Sequence, residues 1–228
     1  MKRARTLSLL VLPLASVLSI SGGVAQADEV IAKPASDSGY TQGFYAALGL
    51  SVGFGTRAPI VDSSDSAFSN EYWATSTTLG PNVGVGYGFG QGWRAELEYL
   101  GYYPRATNHY TTNGRSAQVS GNQVATNAVQ INLLKDIATG SKFTPYIGGG
   151  LGFASSQYNV QEGSVSGTDF AGQGKVGVSY AISKTTSAYL GYRIMGIGGG
   201  TRLSFWSDQP RTGSRLQQGL DAGIRIKL

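Results

Sequence analysis

The chain contains no cysteine, which excludes disulfides and any thiolate metal site. Histidine occurs once, as His109, so no pair of imidazoles is available to hold a metal either. Charged residues make up only 14% of the chain, against about 25% in ordinary soluble domains. Beyond the first 27 residues no apolar run approaches the roughly 20 residues that a spanning helix needs. If such a chain enters a membrane, only a closed barrel can satisfy its backbone there.

What is abundant is glycine, 34 of 228 residues, or about twice the usual share. The glycines follow no three-residue period, and 41% of the chain is hydrophobic; collagen and disorder are thereby excluded. The first 27 residues read as an export signal: Lys2, Arg3 and Arg5, then an apolar stretch from Leu7 to Leu18, then the small-x-small site Ala25-Gln26-Ala27. Ser8, Pro13 and Ser16 interrupt the apolar stretch, which is too short to be retained as a membrane anchor. Cleavage after residue 27 leaves 15 bases against 13 acids, a balance of +2. The apparent basicity therefore belongs to the signal, and nothing favours nucleic acid as a partner. Residues 28–40 read as a short polar leader, and 41–228 as one domain.

Within that domain, period-two alternation recurs. Phe44, Ala46, Leu48, Leu50, Val52 and Phe54 share one parity, opposed by Ala47, Gly49, Ser51 and Gly53. Leu79, Val83, Val85, Tyr87 and Phe89 oppose Gly84, Gly86 and Gly88; Trp93, Ala95, Leu97, Tyr99 and Tyr103 oppose Arg94, Glu96 and Glu98. Five further segments, near 123–136, 144–155, 170–182, 187–198 and 216–228, follow the same rule, giving eight strands joined as hairpins. Connections alternate in length. Tight turns sit at Gly90-Gln91-Gly92, Thr139-Gly140-Ser141 and Ser183–Thr186, and long polar loops at Thr56–Thr77, Arg105–Asn122, Ser156–Asp169 and Gly199–Arg215. Short turns at one end and long loops at the other are the pattern of membrane barrels. The fold expected is all-β: an eight-stranded antiparallel up-and-down transmembrane β-barrel.

A soluble lipocalin-like barrel also alternates, with its apolar face inward. The polar parity decides between the two. In water it should be rich in Lys, Glu and Asp, but here it is mainly Gly, Ser, Gln, Asn and Tyr. Its strand charges, Arg94, Glu96, Glu98, Lys175, Arg193, Asp221, Arg225 and Lys227, fit a narrow interior beside glycine. The first seven are expected to pair into a lumen ion network. The apolar parity then faces acyl chains. Phe44, Phe89, Trp93, Phe143 and Tyr180 would form an aromatic girdle at the turn end, and Phe54, Tyr103, Phe153 and Phe170 one at the loop end.

The run Thr144-Pro145-Tyr146-Ile147-Gly148-Gly149-Gly150-Leu151-Gly152-Phe153 resembles the opacity-protein and OmpA-like outer-membrane β-barrel family, which includes small surface antigens of alphaproteobacteria. Val83-Gly84-Val85-Gly86-Tyr87-Gly88 and the terminal Leu220–Leu228 add to the resemblance. It implies an integral protein of a Gram-negative outer membrane with surface-exposed loops. It also implies recognition of the last strand by the barrel-assembly machinery, although that signal ends in an aromatic and this chain ends in Leu228.

No catalytic constellation stands out. His109 lies in an expected external loop with no His-x-Ser arrangement at a strand end. Gly49-Leu50-Ser51-Val52-Gly53 satisfies G-x-S-x-G but lies within a continuous strand rather than at a strand-to-helix elbow. Glu96 and Glu98 beside Arg94 read as ion-network members. No cofactor, metal or catalytic residue is expected, and the chain is read as a non-enzyme with a structural and surface-interaction role. Outer-membrane lipid and a host or cell-surface ligand are its expected partners, the latter at Tyr72, Trp73, Tyr110, Phe205 and Trp206 on the loops. A narrow small-solute pore is the alternative, and a lipid-modifying enzyme a third reading.

Overall fold

The computed structural model describes residues 42–61, 68–112, 115–160, 163–204 and 211–228. The expected signal and leader, and Phe205 and Trp206, lie outside the described residues. Among the described residues every regular element is a strand: β1 (Gln42–Gly53), β2 (Arg57–Val61), β3 (Phe68–Thr75), β4 (Thr78–Gly90), β5 (Trp93–Tyr102), β6 (Arg105–Thr112), β7 (Arg115–Asp136), β8 (Phe143–Val160), β9 (Gly163–Ala181), β10 (Thr186–Ile197), β11 (Arg211–Thr212) and β12 (Arg215–Lys227).

Eight of these strands close a ring. In chain order each pairs antiparallel with the next, β1–β4–β5–β7–β8–β9–β10–β12, and β12 returns to β1. This is an up-and-down barrel without a free edge. Its stagger can be read from the register. From Phe143 on β8, successive partners are Tyr180, Ala188, Ile224, Leu48, Val83, Tyr99 and Val129, and the path returns to β8 at Phe153, ten residues further on. For eight strands about 4.8 Å apart and rising about 3.3 Å per residue, that stagger sets a tilt of about 41° and a radius of about 8 Å. So narrow a tube is filled by the side chains that point into it.

The alternation read from the sequence appears as burial turned inside out. Leu48, Leu50, Val85, Leu97, Ile131, Leu151 and Leu190 are exposed on the outer wall, while Arg94, Glu98, Arg193 and Asp221 are at most 2% exposed. In water that outer wall would be an apolar patch far beyond the few hundred Å² that soluble monomers expose. Tight turns close the other end; at Gly90-Gln91-Gly92 all three residues adopt positive φ, which glycine accepts at two of the three positions.

The long connections differ from expectation, because much of their length is strand. β1 resumes as β2 after a break at Phe54–Thr56, and β5 resumes as β6 after Tyr103-Pro104. Proline has no N–H to donate, and its carbonyl instead accepts from Val124 N at 3.1 Å. β7, β8 and β9 run past the rim unbroken for 22, 18 and 19 residues. Above the rim the order is β11–β2–β3–β6–β7, each pair antiparallel. Their Ser, Thr and Asn content reads as loop in isolation. Neighbouring hairpins supply the backbone partners that make strands of them.

Candidate functional site

The interior of the barrel is built from alternate residues of all eight wall strands and is stacked in layers. Nearest the tight turns, the tyrosines Tyr45, Tyr146 and Tyr189 pack with Ala47 and Leu134. Each ring lies over strand glycines. A Cβ at Gly86 would strike Tyr45, one at Gly177 would lie 2.5 Å from the Tyr146 hydroxyl, and one at Gly223 would lie 2.6 Å from that of Tyr189. Higher up, a Cβ at Gly53 would lie 2.7 Å from Tyr102. The inward glycines therefore make room chiefly for tyrosines, not only for the charged residues that the sequence suggested.

Arg94 crosses this layer. Its Nε is 3.1 Å from Asp136 Oδ1, and its Nη1 lies 3.2 Å from Glu96 Oε2 and donates to Tyr45 OH at 3.1 Å. Tyr45 OH in turn donates to Glu96 Oε2 at 2.9 Å. Arg225 lies over the faces of Tyr45 and Tyr189, 5.2 and 5.7 Å from the ring centres, and donates to Ser179 at 3.3 Å. Arg94, Glu96, Lys175 and Arg225 help to enclose a cavity of about 10 Å³, room for about one water molecule.

Glu98 is the centre of the next layer. One carboxylate oxygen is 2.7 Å from Lys175 Nζ and 2.7 Å from Arg193 Nη2. The other accepts from Arg193 Nη1 at 3.1 Å, Asn132 at 3.0 Å and Gln173 at 2.7 Å. Arg193 is also 2.5 Å from Asp221, which accepts from Ser51 at 2.6 Å. β10 and β5 stand on opposite sides of the ring, so the Arg193–Glu98 pair ties the barrel across its diameter. An apolar layer follows, of Leu100, Tyr102, Ala128, Ala154, Ala171, Met195 and Ile197. Above it Arg215 reaches from β12 across the tube to Tyr158 OH at 3.0 Å, Ser156 Oγ at 2.5 Å and Thr126 Oγ1 at 3.2 Å.

All seven residues read from the sequence as lumen charges point inward and are buried. Six of them share one chain of ion pairs, while Arg225 is held by aromatic faces and a hydroxyl. Two participants were missed. Asp136 has the inward parity of Gln130 and Asn132 and was legible from it; Arg215 stood at the end of a supposed loop, where parity could not be counted. Ser51 of the G-x-S-x-G run is spent on Asp221, and His109 is on the outer face of β6, far from it in the fold. Among the described residues no group of acids and imidazoles could hold a metal.

On the outer wall, the residues read as girdles are all exposed: Phe44, Phe89, Trp93, Phe143 and Tyr180 toward the turns, and Phe54, Tyr103, Phe153 and Phe170 toward the long hairpins. Phe44 meets Tyr87 edge-on at 4.8 Å and Phe153 meets Phe170 at 6.0 Å. Tyr99 and Tyr103 both donate to Asn127 Oδ1, at 2.7 and 3.0 Å.

Above the rim one expectation is corrected. Trp73 is not a surface contact: it is 1% exposed, packed with Ala58, Ala106, Val124, Tyr158 and Leu203 inside the extension. Its place on β3 has the inward parity, and an indole gains most by leaving water. Tyr72, the next residue, faces outward and is half-buried against His109, ring centres 4.9 Å apart and planes 9° from parallel. Tyr110 is also half-buried.

A family model described as the outer membrane protein beta-barrel domain matches residues 14–214. Among solved structures, the crystal structure of Neisserial surface protein A, NspA, aligns with 82% of this chain and 98% of its own, with a TM-score of 0.57 and 18% identity. The outer membrane protein OprG from Pseudomonas aeruginosa aligns with 84% of this chain and 98% of its own, with a TM-score of 0.57 and 13% identity. At these identities the likeness is one of fold. No curated protein matches the chain.

Proposed function

This chain belongs to the outer-membrane protein β-barrel domain family, and from that premise we propose that it acts as a closed barrel that anchors an ordered external sheet for surface interaction, rather than as a pore or an enzyme. The carrying observation is the lumen. Tyrosines, the Arg193–Glu98 tie, an apolar layer and the Arg215 crossbar follow one another along the axis. A hydrated path through it would have to part buried ion pairs, at about 3–5 kcal/mol for each partner left alone. The turn end faces the periplasm and the long hairpins face outward, as in barrels of this kind.

The last strand supports assembly by the barrel-assembly machinery. Leu220, Ile224, Ile226 and Leu228 form an exposed apolar row, and β12 closes the ring on β1. The non-enzymatic reading rests on Ser51, whose hydroxyl is engaged by Asp221 and Asn82 inside the filled lumen, with no imidazole beside it among the described residues. The lumen reading is tested in planar bilayers with the purified, refolded protein. A silent membrane is expected, and reproducible conductance steps from heat-modifiable, folded protein would overturn it in favour of a narrow pore.

A further inference from the structure

Outside the lumen, the two basic residue types are sorted between the ends of the barrel. Among the described residues the turn end carries Lys135, Lys142, Lys184 and Lys227 and no arginine, while the hairpin end carries Arg57, Arg105, Arg115, Arg202 and Arg211 and no lysine. At the hairpin end no described acid is exposed. Glu71 accepts from Asn108 and Asp169 from Thr201, both half-buried. The acids at 62, 65, 162 and 208 lie outside the described residues. Arginine differs from lysine in offering a planar fork that matches phosphate oxygens two at a time.

Two of these arginines stand directly above the aromatic band. Arg57 follows Phe54 by three residues. Arg105 shares the outward parity of Tyr103 and comes two residues after it. Arg57 pairs through Ala74 to Thr107, which is two residues from Arg105, so their α-carbons are about 12 Å apart, within converging reach of two long side chains. The Arg57 guanidinium lies over the Tyr72 ring at 5.1 Å, and Tyr72 stacks in turn on His109. A cation held this way loses less freedom when it binds. Neither arginine has an ion-pair partner among the described residues. Below them the Tyr99 and Tyr103 hydroxyls converge on Asn127, the chemistry of head-group depth.

We propose that Arg57 and Arg105, backed by Tyr72 and His109, form a clamp for the phosphate groups of an anionic lipid in the outer leaflet. The clamp rests on the outward orientation of the long hairpins but not on a closed lumen. The test uses native mass spectrometry of the full mature barrel in neutral detergent, titrated with a diphosphorylated glycolipid and with the same lipid enzymatically dephosphorylated. The phosphorylated lipid should bind, the dephosphorylated one should bind far less, and R57Q/R105Q should weaken binding roughly tenfold or more. The paired change K142Q/K184Q at the other end should leave it unaltered, and every variant is first shown to be heat-modifiable. Equal binding of both lipids, unchanged binding by folded R57Q/R105Q, or equally good competition by inorganic phosphate would each overturn the clamp. None of these results bears on conductance, so the two readings fail separately.

Discussion

The wall of the barrel and the sheet rising from its rim are built on continuous hairpins, yet their faces carry opposite chemistry. On the wall, Val129, Ile131 and Leu133 of β7 look outward, and Gln130 and Asn132 look in. Above the rim, Gln118 and Gln123 of the same strand are exposed, and Val124 joins Trp73, Tyr158 and Leu203 inside. The inversion follows the solvent. Acyl chains reward apolar surface and leave polar groups to pair within the tube, whereas water rewards the reverse. One strand can therefore obey both rules in succession, and its backbone pairing is indifferent to the change.

The strongest way to break the comparison is to unbalance the wall interior. Glu98→Ala removes the shared carboxylate of Arg193 and Lys175 and leaves them Asp221 and the more distant Glu96. A loss of about 3–5 kcal/mol is expected for breaking so buried a pair, measured by urea unfolding in vesicles. A much smaller loss would mean that water reaches the network. Trp73→Ala empties the core of the extension. A similar local cost of about 3–5 kcal/mol should appear as faster protease cutting of the external hairpins on intact cells, with the heat-modifiable band unchanged. Loss of that band would show that wall and extension fold as one unit. The mildest contrast sharpens the inversion itself. Ile131→Arg on the lipid face should cost about 2–4 kcal/mol, whereas Gln118→Arg on the watery face should stay within about 0.5 kcal/mol. Equal effects at the two sites would remove the distinction.

Much of the wall was legible because a period of two is unambiguous when its faces meet unlike surroundings. β1, β4, β5, β10 and β12 lie within a few residues of the alternating segments, and the seven charges read by parity are buried, while Asp136 and Arg215 were not among them. The extension was not legible. Thr107, Asn108, His109 and Thr111 carry no apolar alternation, and the partners that make β6 a strand come from β3 and β7, distant in sequence. Trp73 was misplaced for the same reason: an isolated tryptophan among polar residues shows no parity until its strand is known.

The sequence by itself determined the eight strands of the wall, their outward apolar face and most of the charges sent inward, because those follow from local alternation and the cost of unpaired backbone in lipid. Only the tertiary structure decided how those charges meet. The ten-residue stagger around the ring places β10 opposite β5 and β12 opposite β7, and so brings Arg193 to Glu98 and Arg215 to Thr126 across the tube. Distances across a closed ring depend on all eight registers together, and no single segment contains them.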